Sequence, residues 1–441
     1  MNRLERLEEL VKAARAAGAD AADALLVAGT SLAVSQRLGK VEHLERAEGF
    51  DLGLRVFVGR QQAIVSTTDP DPRGFEALAA RAVAMARAVP EDRFGGLGEF
   101  HPPQQVDLDL NDPAEPDTEA LAARAAAAEE AALATAGITN SEGGDASFAR
   151  SEVALFASTG FAGEYARSSH STSVTVLAGS GTAMERDYDY SSAVHLADLE
   201  DAAELGRRAA GRAVKRLGAI RPRSARMPVV FDPRVAGSMA GHLAAALNGA
   251  AVARGTSFLR DRMGEQVLAR GLSLRDDPLR RRGLRSRPFD AEGMPCQALA
   301  LVEDGVLRNW VLDWRSARQL GLASNGRAAR GISGPPSPAT TNLWIEGGSV
   351  SPAALMADIP EGIYVTEMIG SGVNGVTGDY SRGAAGFMIR NGELAEAVSG
   401  ITVAGNLKDM FLNMAAADDL RFRRGTDAPT LRVDGLTVAG S

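Results

Sequence analysis

The chain has 441 residues, 45% hydrophobic and 24% charged, with a formal net charge of −8 and a single cysteine, Cys296. That length exceeds what one hydrophobic core supports, so two domains are expected, and the acidic balance argues against general nucleic-acid binding, which needs a basic surface. One cysteine excludes an internal disulfide framework and any multi-cysteine metal cluster, and no apolar run reaches the ~18–20 residues of a membrane span.

At the start, Leu4, Leu7, Val11 and Ala14 recur at helical spacing. They predict a charged amphipathic helix and not a signal peptide, so a cytoplasmic location is expected. Short strands are predicted at Ala24–Ala28, Leu32–Gln36, Gly53–Val58 and Ala63–Thr67, and a helix at Phe75–Ala88 that stops before Pro90. Residues 99–117, rich in Pro and Asp, read as a surface connector. An Ala-rich helix follows at Thr118–Ala136, strands at Val153–Phe156 and Thr172–Leu177, and a helix at Leu199–Leu217. Arg221–Arg226 marks the expected boundary between an N-terminal α+β domain (1–220), layered from helices and strands, and a β-rich C-terminal domain (221–441). The second domain opens with a strand (Pro228–Phe231) and a helix (Pro233–Leu247) and continues as glycine-punctuated β structure. The fold class is α+β.

Between Gly370 and Gly405 there are nine glycines (370, 372, 375, 378, 383, 386, 392, 400 and 405) with apolar, strand-like pieces between them. Glycine suits bulges, positive φ and close backbone approach, so a curved sheet with backbone groups left free for a guest chain is expected here. Asn391-Gly392 reads as a hairpin turn. Small apolar residues in this block, with Trp310 and Trp314 upstream, suggest a large partly apolar surface suited to oligomerisation.

The run Thr377-Gly-Asp-Tyr-Ser-Arg-Gly-Ala-Ala-Gly-Phe387, with Asn391-Gly-Glu393 and Val403-Ala-Gly-Asn-Leu-Lys-Asp-Met410, closely resembles the TldD/PmbA family, also called modulators of DNA gyrase, and within it the PmbA/TldE branch. Arg254-Gly-Thr-Ser257, Gly264-Glu265, Asp276-Asp277-Pro278, Pro288-Phe-Asp-Ala-Glu-Gly293 and Trp314-Arg-Ser-Ala-Arg-Gln-Leu-Gly321 keep the family's order and spacing. In the TldD branch, the segment before Arg-Gly-Thr-Ser carries His-Glu-x-x-x-His, which holds zinc and supplies a general base. Counting back from Arg254 puts Ala240, Gly241 and Ala245 at those positions. His242 stands alone on an Ala-rich helix and reads as a packed side chain. The cysteine ligand that the catalytic branch offers near its C-terminus has no counterpart after Cys296.

No metal ligand or catalytic residue is therefore expected in this chain, and the resemblance places zinc in a TldD-like partner. None of the five histidines (43, 101, 170, 195 and 242) sits in a recognisable catalytic context, there is no Gly-x-Ser-x-Gly elbow, and Cys296 reads as a small packed side chain. Arg254, Thr256, Asp379, Tyr380, Ser381 and Arg382 are the candidates for contact with substrate or partner. Asp379 and Arg382 fit either a mutual ion pair that fixes the loop or the binding of a peptide terminus. Five arginines within Arg280–Arg287 read as a solvated loop or a contact to an acidic partner. The resemblance implies a subunit of a heterodimeric zinc peptidase acting on extended or unfolded polypeptides, with no membrane or nucleic-acid partner. The alternative from a different class is a binding or regulatory protein acting as a homodimer, and an autonomous hydrolase stands third.

Overall fold

The computed structural model describes residues 2–440. Helix α1 (Arg3–Ala16) opens on a reciprocal cap, in which the Asn2 side chain accepts the Glu5 amide and the Glu5 carboxylate accepts the Asn2 amide. It buries Leu7, Leu10, Val11 and Ala14. Then come β1 (Ala21–Arg37), β2 (Lys40–Val58), β3 (Gln61–Thr67), α2 (Phe75–Ala88), α3 (Thr118–Leu133), β4 (Ile138–Ala157), β5 (Ala162–Ala178), β6 (Glu185–Ala193) and α4 (Ala202–Lys215). The six strands form one sheet in the order β3-β2-β1-β4-β5-β6, with antiparallel neighbours throughout. One apolar cluster joins α1 and α2 to β1–β3, and another joins α3 and α4 to β5. No helix among the described residues is long and apolar enough to cross a membrane.

The strands are much longer than their apolar patterns. The two short strands expected at Ala24–Ala28 and Leu32–Gln36 are parts of β1, which continues through Gly29-Thr30-Ser31 because β2 and β4 pair with it on both sides. Gly29 is needed there, since a Cβ would run into the Arg150 carbonyl. The β1–β2 hairpin turns at Leu38 (φ +48°) and Gly39 (φ +73°), two successive left-handed residues that suit a right-twisted two-residue turn.

Residues 99–117, the connector segment, form no helix or strand and are mostly exposed or half-buried, with Leu108, Leu110 and Asp112 tucked in. The arginine run pins it: Arg281 pairs with Asp107 (2.7 Å), and Arg282 with Asp109 (2.7 Å) and Asp198 (3.0 Å). The acidic contact of this run lies within the same chain. Arg280 stacks over the Phe422 ring, 3.6 Å from its centroid.

After Arg221–Arg226 come β7 (Ala225–Phe231), α5 (Pro233–Ala246) and the short α6 (Gly249–Ala253). β7 pairs in parallel with strand Glu361–Ile369, which pairs with Asp379–Arg390, which pairs with Glu393–Asn406. On its other side β7 pairs with Leu431–Ala439, and that strand returns to Thr402–Ala404. The five strands thus close into a barrel. Within the glycine-rich block, Gly383–Arg390 and Thr402–Ala404 are paired on both sides, whereas Glu393–Ile401 bonds to one strand along its length and meets Ile220 on its outer side only at Val398. Gly386 serves strand packing there, since a Cβ would run into the Tyr364 carbonyl. Trp310, expected near an interface, lies instead in the core that fills this half of the chain.

The two halves meet over a buried charged cluster. Asp23 accepts from Arg55 (Nε, 3.2 Å) and Arg330 (Nη1, 2.7 Å), while Glu292 lies 3.7 Å from Arg55 and accepts the Trp314 amide at 2.8 Å. Against its burial, Arg330 and Arg55 hold the Asp23 carboxyl below the usual range. Glu292 has Arg55 as its ion-pair neighbour, and burial pushes it up to about 8, with Asp290 and Asp313 adding to the rise against the pull of Arg55.

Candidate functional site

Helix α5 is set by Asp232, which accepts the Arg234 amide, and by Pro233 in its first turn. It buries Val235, Ala236, Met239, Ala240 and Leu243. On the other side Ala245 is exposed, and a Cβ at Gly241 would meet nothing within 4 Å. His242 packs edge-on against Tyr380, with ring centroids 5.9 Å apart. Its Nε2 and the Tyr380 hydroxyl are buried without a hydrogen-bond partner of good geometry. Burial, and then the Arg382 charge, bring the His242 imidazole down to about 4, so it is neutral near pH 7. Burial raises the Tyr380 phenol against the opposing pull of Arg382.

Two segments far apart in sequence meet beside this helix. Ser257 Oγ donates to the Ala246 carbonyl at 2.5 Å and ties the Arg254–Phe258 loop to the end of α5. The Phe258 amide donates to the Gly375 carbonyl at 3.0 Å, which joins that loop to residues 370–378. Arg254 caps α6 and is exposed, and Thr256, also exposed, donates to the Ala251 carbonyl at 3.2 Å. Ile369 and Val376 add apolar surface, at 59% and 57% exposure. The structure therefore brings Arg254, Thr256, Asp379, Tyr380, Ser381 and Arg382 into one region.

Of the two roles open to Asp379 and Arg382, the mutual ion pair does not form. The pleat of the strand sends residues 379 and 381 to one face and 380 and 382 to the other, and burial follows: Asp379 and Ser381 are exposed and Tyr380 is buried. Asp379 accepts from Thr377 Oγ1 (2.6 Å) and Asn406 Nδ2 (3.1 Å), and these bonds hold its carboxyl below the usual range. Arg382 Nε donates to the Gly370 carbonyl at 2.8 Å, across the base of the loop.

Asn406 also borders a cleft of about 580 Å³ lined by Phe258, Arg262, Lys408 and Leu412. No sequence signal marks this cleft, because Arg262 and Lys408 are single cations almost 150 residues apart.

The side chains here do not fit a zinc ion. A catalytic zinc site takes three protein donors, whereas Ala240, Gly241 and Ala245 supply none and His242 supplies one buried imidazole. No group of three or more His, Cys, Asp or Glu among the described residues is placed to hold a metal. Cys296 is buried, its thiol is directed at the Gly326 carbonyl (3.5 Å), and burial pushes it up to about 11, far from a thiolate nucleophile. His170 faces Asp112 (3.2 Å) and His195 faces Asp109 (3.1 Å), contacts that secure the connector.

Three family descriptions match in succession: PmbA/TldA metallopeptidase domain 1 over residues 22–86, the central domain over 111–217 and the C-terminal domain over 224–440. The chain is 36% identical to the metalloprotease PmbA of Escherichia coli, over 93% of this chain and 90% of that protein. It is 34% identical to a PmbA homolog of Haemophilus influenzae, with the same coverage. Among solved structures, a candidate modulator of DNA gyrase from Bacteroides thetaiotaomicron superposes with a TM-score of 0.90 at 26% identity, covering 99% of this chain and 98% of the other. TldE from Thermococcus kodakarensis shares the fold, with a TM-score of 0.86 at 19% identity and coverage of 99% and 100%. With three successive domains matched and more than a third of its residues shared with a near full-length relative, the chain belongs to the PmbA/TldD metallopeptidase family.

Proposed function

We propose that this chain is a cytosolic, TldE-like, non-catalytic subunit that joins a zinc-bearing TldD-like partner to cleave extended or unfolded polypeptides. The observation that supports this most is the donor-free outer side of α5. Gly241 and Ala245 stand where a metallopeptidase of this family would carry a base and a ligand, yet the Arg254–Phe258 loop and the 370–378 loop still frame the place. The frame is kept and the chemistry is not, which suits a surface that meets a substrate chain or a partner's active site. Arg254, Thr256 and the exposed Ile369 and Val376 offer one cation, a hydroxyl and apolar area for that contact.

Gly383–Arg390 is paired on both sides, which leaves the 370–378 loop and the outer edge of Glu393–Ile401 as places for a peptide to lie. The test is reconstitution. The chain alone should contain no stoichiometric zinc and cleave no unfolded polypeptide, and adding a TldD-like subunit with an intact His-Glu-x-x-x-His should give a chelator-sensitive peptidase that exceeds that subunit alone. One tightly held zinc per chain with proteolysis by the isolated protein refutes the reading. A partner fully active without this chain refutes it too.

A further inference from the structure

Strand β2 is paired unevenly. Leu52–Val58 bond to β1 on one side and β3 on the other, whereas the stretch from Lys40 to Asp51 bonds to β1 alone. Every residue from Leu38 to Gly49 is exposed, on both faces of the strand. Leu38, Val41 and Leu44 are each more than half exposed, at 54%, 53% and 51%. A free antiparallel edge offers its outward N–H and C=O groups to any further strand, and proteins usually protect such edges with charge. Here the charges Lys40, Glu42, His43, Glu45, Arg46 and Glu48 do more than protect, because their order is self-complementary.

Antiparallel pairing of two copies about an axis normal to the sheet places one residue opposite itself and fixes every other pair. Centring on Leu44 sets Lys40 against Glu48, Glu42 against Arg46, His43 against Glu45 and Val41 against Ala47, with Leu44 against Leu44. The neighbouring registers fail. Centring on Glu42 opposes two glutamates, and centring on His43 opposes Lys40 and Arg46. Centring on Glu45 opposes glutamates twice, at 45 with itself and at 42 with 48, and centring on Arg46 opposes two arginines. Centring on Ala47 runs the incoming strand into β3, whose Thr67 already occupies the edge at Leu52. Like charges directly opposite one another are destabilising and opposite charges are favourable, so the sequence singles out the Leu44 register.

We propose that the Lys40–Glu48 edges of two copies of this chain pair about a two-fold axis at Leu44 and join two six-stranded sheets into one continuous sheet. In the single chain, Arg46 reaches Glu48 (2.8 Å) and His43 reaches Glu45 (3.2 Å) along the strand. The pairing adds a partner across the axis to each. The surface lies in the N-terminal sheet, apart from α5 and the 370–378 loop, so this inference does not depend on the peptidase reading.

The test uses the full-length chain and residues whose exposure leaves folding intact, verified by a thermal melt of each variant. Sedimentation at micromolar concentration should find a dimer. Glu42→Arg and Arg46→Glu should each weaken it at least tenfold, by opposing like charges twice. The two single variants mixed together should form a mixed dimer, and the double variant E42R/R46E should recover its own. Leu44→Cys should cross-link on oxidation, whereas Glu48→Cys should not, because its two copies stand about 27 Å apart at ~3.4 Å per residue. A wild-type monomer, a dimer indifferent to Glu42→Arg, or no cross-link at Leu44→Cys overturns the proposal. So does an edge that is protected only when a TldD-like subunit is added.

Discussion

Glu292 gives the cluster between the two halves a measurable pH signature. Its carboxyl is pushed from an ordinary 4.5 up to about 8 by burial, with Asp290 and Asp313 raising it further and Arg55 lowering it. The folded state therefore holds a proton that the unfolded chain releases between those values. Because the folded state binds more protons there, stability falls as pH rises from about 4.5 and stops falling near 8. At ~1.36 kcal/mol per pH unit the full loss is about 5 kcal/mol. Glu292→Gln keeps the shape and the acceptor for the Trp314 amide but carries no titrating proton. It should match wild type near pH 5 and exceed it by roughly 3–5 kcal/mol at pH 8, by the same linkage. Asp23 does not confuse the window, since its carboxyl is lowered and titrates below it. Asp290 is also raised by burial and its charge helps raise Glu292, so the gap between the two proteins reports the pair of carboxyls. Thermal or denaturant unfolding of both proteins from pH 5 to pH 8.5 measures the gap. Parallel curves, with no divergence between pH 5 and 8, refute the reasoning.

Arg382→Ala removes a positive charge beside His242 and the bond to the Gly370 carbonyl. The His242 imidazole should titrate above its present value of about 4, read by NMR, and the reconstituted peptidase should lose roughly tenfold in kcat/KM with an unchanged melt if the loop handles substrate. Gly386→Ala forces a Cβ into the Tyr364 carbonyl and should cost at least ~1–3 kcal/mol in a denaturant melt, whereas Gly241→Ala, in open space on a helix, should add about 0.5–1 kcal/mol. Removing Arg327, which is fully buried and bonded to Asp276, should cost about 3–5 kcal/mol because it leaves a carboxylate unpaired in the core.

Helices were legible where periodicity and a stop signal coincide. Phe75–Ala88 has the expected limits because its apolar stripe ends just before Pro90. The long strands were not legible, since a strand held by ladders on both sides tolerates Gly29-Thr30-Ser31, and β2 crosses Lys40–Gly49 with no buried side chain to mark it. In the site, the sequence identified the segments but not their geometry. The Arg254–Phe258 loop does meet the 370–378 loop, yet only the pleat separates Asp379 from Arg382, and only the folded chain brings Arg262 and Lys408 to a common cleft. The composition of the arginine run suits a solvated loop or a contact to an acidic partner. Its partners sit more than 80 residues away, and no local pattern announces them.

The packing of α5 bears on whether metal chemistry could be built on it. Gly241 and Ala245 have room for larger side chains, but Ala240 has no exposed surface and is enclosed by the core of the barrel half. An imidazole at position 240 would need several heavy atoms' worth of space that neighbouring side chains already fill, and overpacking of this kind destabilises a core by ~1–3 kcal/mol or more. Three substitutions alone would therefore not turn α5 into a metal-binding helix. The surrounding core would have to be rebuilt first, so sterics hold this helix in its donor-free form.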